Sequence, residues 1–245
     1  MTKKSILFLG ASSDIGLSLA NIFAKNGFNL MLASRDTKYL KIKSNEIKKK
    51  YNTSISIYSF DILNEKNYVG FISKLEVIPD IVVCCVGYLG KQLKSQNSLQ
   101  ESSLVIRTNF LGPVNIINIF ANMFEERGSG TIVGLSSVAG ERGRASNYLY
   151  GASKAGFSAY LSGLRQRLHK KKINVITIKL GYVLTTFVKD KKLPFFLTIS
   201  KEKAAKIIYI GIMKKRDIVY VGVIWFYIMF ILKIIPEKFY KIFRV

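Results

Sequence analysis

The stretch Ser5-Ile-Leu-Phe-Leu-Gly-Ala-Ser-Ser-Asp-Ile-Gly16 decides the fold. Ser5 to Leu9 is a short apolar run that ends on Gly10, and a helical pattern follows through Ala24. That order predicts a strand, a tight turn and the start of a helix. Gly10 lets the backbone turn and approach a ligand, Gly16 allows close helix packing, and the exposed amides of a helix N-terminus suit a phosphate. Ser12, Ser13 and Asp14 can cap that helix or line the site. An acid stands where G-x-x-x-G-x-G would have its middle glycine, so the spacing also fits a plain turn.

Working outward, strands and helices alternate. Asn29 to Ala33 is a second strand, followed by Ser34-Arg35-Asp36. An acid just beyond such a strand favours a free ribose 2′-hydroxyl and a base the 2′-phosphate, so Arg35, with Ser34 at the strand end, favours NADPH over NADH. Ser54 to Phe60 alternates as a third strand and ends on Asp61, an acceptor for an adenine amino group. Pro79 to Val86, closed by Gly87, has the look of a central parallel strand. Gly112 and Pro113 interrupt a helical pattern from Ser102 to Phe124, inside which Asn109 falls. Gly130 to Leu135 leads to Ser136-Ser137, Ile173 to Leu180 ends at Gly181, and Ile218 to Val221 is a seventh strand. Such alternation implies an α/β fold with a doubly wound parallel sheet of about seven strands (a Rossmann fold). Its ligand crevice lies beyond the carboxyl ends of the strands, where Gly10, Arg35, Asp61, Gly87, Ser137 and Gly181 all fall.

Tyr150-Gly-Ala-Ser-Lys154 places a phenol and an ammonium four residues apart. On a helix they share one face, one turn apart, and the small residues Gly151, Ala152, Ser153, Ala155 and Gly156 permit that helix. A tyrosine with a pKa of about 10 is a poor acid or base at neutral pH, and a fixed cation is one way to stabilise its phenolate. The spacing is also common by chance on helix surfaces.

With these positions in register, residues 4 to 222 resemble the short-chain dehydrogenase/reductase family. The resemblance implies that Tyr150 is the general acid in reduction, that Lys154 lowers its pKa and holds the nicotinamide ribose, and that Ser137 hydrogen-bonds the substrate carbonyl. Asn109 would complete a tetrad by holding a water in the proton relay. Gly10, Ser12, Ser13, Ile15 and Gly16 match the cofactor turn, Asp61 and Ile62 the adenine contacts, and Gly87 and Gly181, at strand ends, join the cofactor-binding residues. Val183 and Thr185 match the segment touching the carboxamide and phosphates. Three positions depart from the pattern: Asp14 replaces a glycine, Cys84-Cys85-Val86-Gly87 stands where Asn-Asn-Ala-Gly is usual, and Leu180 replaces a proline. The family usually builds dimers or tetramers through the helices near Asn109 and Tyr150. A catalytically idle NADPH-binding regulator is the alternative.

At 245 residues the chain suits one Rossmann domain, residues 1–222, with a tail over residues 223–245. The only cysteines, Cys84 and Cys85, sit in an apolar run, which suggests buried reduced thiols and a cytoplasmic protein. His169 has no companions with metal-ligand spacing, so no metal is expected. Lys and Arg exceed Asp and Glu by 38 to 15, and most of the excess lies beyond residue 165. Thr186 to Ser200 reads as a mobile lid, with Lys189, Asp190, Lys191 and Lys192 before Leu193-Pro194-Phe195-Phe196-Leu197. Val223 to Ile235 is apolar nearly all round and precedes Pro236, then Phe239, Tyr240, Ile242 and Phe243 among Lys238, Lys241 and Arg244. About 13 helical residues reach roughly 20 Å, short of the roughly 30 Å of a bilayer core. This favours an interfacial helix on the anionic inner face of the membrane, with a dimerisation or core-covering helix as the alternative. Charge alone leaves nucleic acid open, and the apolar tail argues for the membrane instead. An amphiphilic or lipid-linked substrate follows, and the tail loosely resembles the branch that reduces polyprenyl-phosphate-linked keto-sugars in envelope biosynthesis. Ketones of 3-keto acyl lipids or steroid-like molecules would use the same tetrad.

Overall fold

The structure, a computed structural model, describes residues 3–188 and 194–242. Lys189, Asp190, Lys191, Lys192 and Leu193 of the expected lid, and Phe243 and Arg244 of the tail, lie outside the described residues. The strands are β1 (Ser5–Leu9), β2 (Asn29–Ser34), β3 (Ile55–Ser59), β4 (Ile81–Cys84), β5 (Thr131–Ser137), β6 (Asn174–Leu180), β7 (Tyr182–Leu184), β8 (Thr198–Ser200) and β9 (Ile218–Val221). Seven of them form one sheet in the order β3-β2-β1-β4-β5-β6-β9, parallel throughout. The order reverses between β1 and β4, which opens a crevice at their carboxyl ends.

Helices cover both faces. On one side lie α1 (Asp14–Lys25), α2 (Thr37–Tyr51) and α8 (Lys201–Met213); on the other lie α3 (Tyr68–Ile72), α6 (Gly112–Arg127) and α7 (Tyr148–His169). β1 shows why its sequence is apolar without interruption: Ile6 and Phe8 join the first cluster, Leu7 and Leu9 the second. Phe8 meets Phe23 of α1 edge-on at 6.0 Å, and each such buried ring contributes roughly 1.5–3 kcal/mol.

Two expectations need correction. β4 is shorter than the run Pro79 to Val86, because Asp80 stands outside it and accepts hydrogen bonds from the Ser5 N–H and hydroxyl at 2.8 and 3.2 Å. Gly112 and Pro113 do not break their helix. After α4 (Gln92–Asn97), α5 (Leu99–Ile106) runs through a π turn, Arg107–Leu111, into α6. Pro113 has no N–H to offer the Asn109 carbonyl four residues back, and the wider turn absorbs that loss, with the Gly112 N–H bonding the Arg107 carbonyl. The combined helix, Leu99–Arg127, is long and apolar enough to cross a membrane, yet Ile116, Phe120 and Phe124 on it are fully buried in the core.

The segment read as a lid is folded at both ends, since β7 and β8 pair in parallel, Tyr182 with Thr198. The tail forms α9 (Ile224–Ile234) and α10 (Glu237–Tyr240). Trp225 and Met229 on the inner face of α9 are buried with Val138, and Tyr182, Leu197 and Tyr220 pack around them. Trp225 lies where a side chain at Gly181 would be: a Cβ there would stand 2.1 Å from the indole Cδ1. Behind it, the Glu141 carboxylate holds Lys179 and Lys233 at 2.7 Å each and accepts the Tyr220 hydroxyl. Arg142 pairs with Glu237 at 2.7 Å and stacks 4.3 Å from the Tyr240 ring centroid. Lys233 near the end of α9 and Glu237 and Tyr240 of α10 are thus clasped to the loop that follows β5.

Candidate active site

The small residues flanking Tyr150 and Lys154 have a packing reason. A Cβ at Gly151 would lie 2.8 Å from the Ala139 carbonyl oxygen, and one at Gly134 of β5 only 2.4 Å from Leu161 on α7. The helix therefore rests directly on the strand and its following loop, and Tyr150 comes to lie over Ser137 at the strand end. The Ser137 hydroxyl lies near enough to the phenol to favour its ionised form. Ser137 is fixed from two other sides, donating to the Leu180 carbonyl at 3.2 Å and accepting from the Ala139 N–H at 3.1 Å. Its neighbour Ser136 instead bonds Ser158 and the Lys154 carbonyl, a structural task.

The Lys154 ammonium stands 5.8 Å from the Tyr150 ring centroid and donates to the Leu135 carbonyl at 2.9 Å. Burial pushes its pKa down to about 8. The lowering expected for Tyr150 is reversed here: burial outweighs the influence of the Ser137 hydroxyl and pushes the phenol up to about 12. At neutral pH Tyr150 is a phenol, the form a proton donor needs. Asn109, fully buried, donates to the carbonyls of Tyr88 and Val105 at 2.6 and 2.8 Å and accepts from the Tyr88 N–H at 3.0 Å. Its side chain is committed to bracing the loop after β4, where buried Cys84, the last residue of the strand, and buried Cys85 after it stand in place of asparagines. Pro113 also leaves the Asn109 main-chain carbonyl without an α-helical donor, a second acceptor for a water beside the remaining lone pair of Oδ1.

Ser13, Ile15, Gly87, Ser137, Tyr150, Lys154, Gly181, Val183 and Thr185 line one cleft of about 290 Å³. Gly10, Ser12, Ser13, Arg35, Asp61, Ile62 and Gly87 line an adjoining one of about 330 Å³. Gly16 and Asn109 line neither: Gly16 sits in the first turn of α1, where its N–H is capped by the Ser13 hydroxyl at 3.1 Å. Gly10 has φ +80°, a conformation that glycine adopts without strain.

These two clefts form one groove that fits a nicotinamide dinucleotide. A Cβ at Gly87 would make only ordinary contacts, 3.4 Å from Asn109 Oδ1 and 3.9 Å from Lys154 Nζ, so the groove passes close to both groups at this position. Toward Arg35 the buried Thr108 hydroxyl has no partner. Asp14, the departure from the turn pattern, does not face the groove as an unpaired acid. It accepts from the Thr186 N–H and hydroxyl at 2.7 and 2.8 Å and from Lys201 at 3.0 Å. Burial alone would raise its pKa, but these bonds outweigh burial and hold it below the usual carboxylate value. No sequence pattern points to these partners, nor to Phe187, whose ring lies 6.1 Å from that of Tyr150.

Residues 4–194 match the family profile described as short chain dehydrogenase. The ketoacyl reductase HetN of Nostoc sp. is 29% identical over 189 residues, 76% of this chain and 66% of that one. Among solved structures, a short-chain dehydrogenase from Sphingobium yanoikuyae in complex with NADPH superposes with a TM-score of 0.82 at 19% identity, over 96% of this chain and 97% of that one. A bulky-bulky ketone specific alcohol dehydrogenase from Comamonas testosteroni gives 0.80 at 22% identity, over 97% and 96%.

The Lys154 geometry makes a pH prediction. The ammonium is present below about pH 8 and is lost as pH rises through that value. NADPH affinity, followed by cofactor fluorescence, is expected to be flat below pH 7 and to weaken above pH 8. In Lys154→Met it is expected to be weaker throughout and without that inflection.

Proposed function

Since the chain belongs to the short-chain dehydrogenase family and is an NAD(P)-dependent oxidoreductase, we propose that it reduces the carbonyl of an amphiphilic ketone with NADPH at a membrane face. The observation that carries this reading is the shared wall between the Tyr150 cleft and the tail. Val138 and Tyr182 line the cleft and also pack against Trp225 of α9. A bound nicotinamide would supply hydride to the carbonyl carbon. Tyr150 gives its proton to the carbonyl oxygen, Ser137 holds that oxygen in place, and Lys154 supports the phenolate left behind. The comparisons favour ketones: a ketoacyl reductase among relatives and a bulky-ketone dehydrogenase among structural neighbours. Within that class, a polyprenyl-phosphate-linked keto-sugar suits the apolar tail, and a 3-keto acyl lipid suits the ketoacyl relative.

The preference for NADPH rests on how the β2 end is used. Asp36 caps α2 by accepting the Tyr39 N–H at 2.9 Å, and the Ser34 hydroxyl donates to Ser12 at 2.9 Å. Exposed Arg35 is left at the groove end as the group to meet a 2′-phosphate. Arg35→Asp is expected to weaken NADPH binding by roughly tenfold or more while leaving NADH within a few-fold, as a charge-assisted bond is lost. Equal loss for both cofactors would remove the argument for NADPH.

The outer face of α9 supports the membrane. Val223, Phe226, Tyr227, Phe230, Ile231 and Ile234 are all exposed, with Phe239 and Ile242 beyond them. Phe195 and Phe196, 94% and 76% exposed, adjoin the same helix through Leu197, whose carbonyl accepts the Trp225 N–H at 3.3 Å. A helix apolar on every side belongs in a core or a lipid phase. With 11 residues it reaches about 16 Å, so it lies in the interface and does not cross. Lys238 and Lys241 are exposed beside it, which complements an anionic headgroup layer. The full chain is expected to float with phosphatidylcholine vesicles containing phosphatidylglycerol, more than with phosphatidylcholine alone, and Phe230→Glu with Ile231→Glu is expected to abolish flotation with the circular dichroism unchanged. If the protein instead stays in solution as a dimer that these substitutions dissociate, a second copy covers the face and the membrane proposal fails.

A further inference from the structure

We propose that Arg144 is a binding site for an anionic group, a phosphate or carboxylate, carried by the substrate. Arg144 sits in the loop between β5 and α7, is only 9% exposed, and lines the same cleft as Ser137 and Tyr150. A guanidinium is costly to bury unless it is paired. Other arginines follow that rule: Arg165 bonds the Val175 carbonyl and Thr177, Arg142 pairs with Glu237, and Arg167 pairs with Glu125. Arg144 has no carboxylate, carbonyl or hydroxyl on its side chain among the described residues, and its enclosed Nε has no acceptor.

It is not alone there. Asn147 Oδ1 and Gln92 Nε2 are also buried without partners, and both residues line the next compartment together with Tyr150 and Leu149. Asn147 precedes α7 without capping it through its side chain. Its amide, turned about, presents an N–H2 in place of the orphaned oxygen. Buried polar groups in native proteins have partners, so three orphans on one side of Tyr150 mark the place of a missing acceptor. Arg144 lines the Tyr150 cleft, which also holds Ser13 and Ile15 of the glycine turn, whereas Gln92 lines only the next compartment and Asn147 lines both. That next compartment contains no residue of the glycine turn and neither Arg35 nor Asp61, so Asn147 and Gln92 place the anion on the side of Tyr150 away from the cofactor's phosphates. The planar guanidinium fork suits a two-oxygen anion. Bound there, the anion would fix the far part of a molecule whose carbonyl rests on Ser137 and Tyr150.

The substrate assignment rests on the reductase reading, whereas the anion site is measurable without turnover. With the NADPH-saturated full chain, titration calorimetry of inorganic phosphate is expected to show binding that Arg144→Met weakens roughly tenfold or more. Farnesyl phosphate binding more tightly than phosphate would identify a lipid-borne anion, and equal affinity a soluble one. Because the replaced charge is unpaired, Arg144→Met is expected to melt no lower than the parent, whereas a structural arginine would lower it. With a keto acid and its methyl ester, the variant is expected to raise KM for the acid and leave the ester unchanged. Equal phosphate binding by parent and variant, or equal loss on acid and ester with a lower melting temperature, would overturn the proposal. Absence of turnover on both ketones with phosphate binding retained would count against the reductase reading and leave the anion site standing.

Discussion

The separation of α7 from β5 is the constraint on which the rest depends. Where helix and strand meet, side chains are missing on both partners, and at Gly140 in the intervening loop a Cβ would stand 2.6 Å from the Ala155 nitrogen. Close packing of this kind tolerates little added volume. It sets the height of Tyr150 above Ser137 and carries Lys154 to the Leu135 carbonyl, so the proton donor, the oxygen-holding hydroxyl and the cation are placed by one contact surface. The loop held down by that contact also receives the tail through Glu141 and Arg142, which couples the outer apolar helix to the cleft.

Burial does the electrostatic work. It raises Tyr150 and lowers Lys154, moving the phenol toward the protonated form and the amine toward the neutral one. A site that excludes water in this way makes every fixed donor more effective and every unpaired one more costly. The orphaned Arg144, Asn147 and Gln92 have the same origin: polar groups withdrawn from water around a space that a substrate fills.

Much of this was legible in the sequence because a parallel sheet announces itself through strand ends. Gly10, Arg35, Asp61, Gly87, Ser137 and Gly181 each follow or close a strand, and the topology brings them to one groove. What escaped was non-local or hidden by an average rule. Pro113 signals a break in most helices, and only the fold shows a π turn absorbing it at Asn109. Asp14 looked like a flaw in a glycine turn because its partners, Thr186 and Lys201, lie 172 and 187 residues away. The tail is apolar nearly all round, and no periodicity distinguishes Trp225 and Met229, which pack inward with Val138, from the face left outside. Arg144 was one basic residue among 38 Lys and Arg, and its lack of a partner exists only in three dimensions.

The central claim is that Tyr150 delivers the proton to a carbonyl held by Ser137. It is tested most directly by single-turnover oxidation of NADPH in the presence of an amphiphilic ketone, comparing the parent chain with Tyr150→Phe at equal cofactor occupancy. The account predicts a rate at least roughly 100-fold lower in the variant, with NADPH affinity unchanged. Equal rates would contradict it.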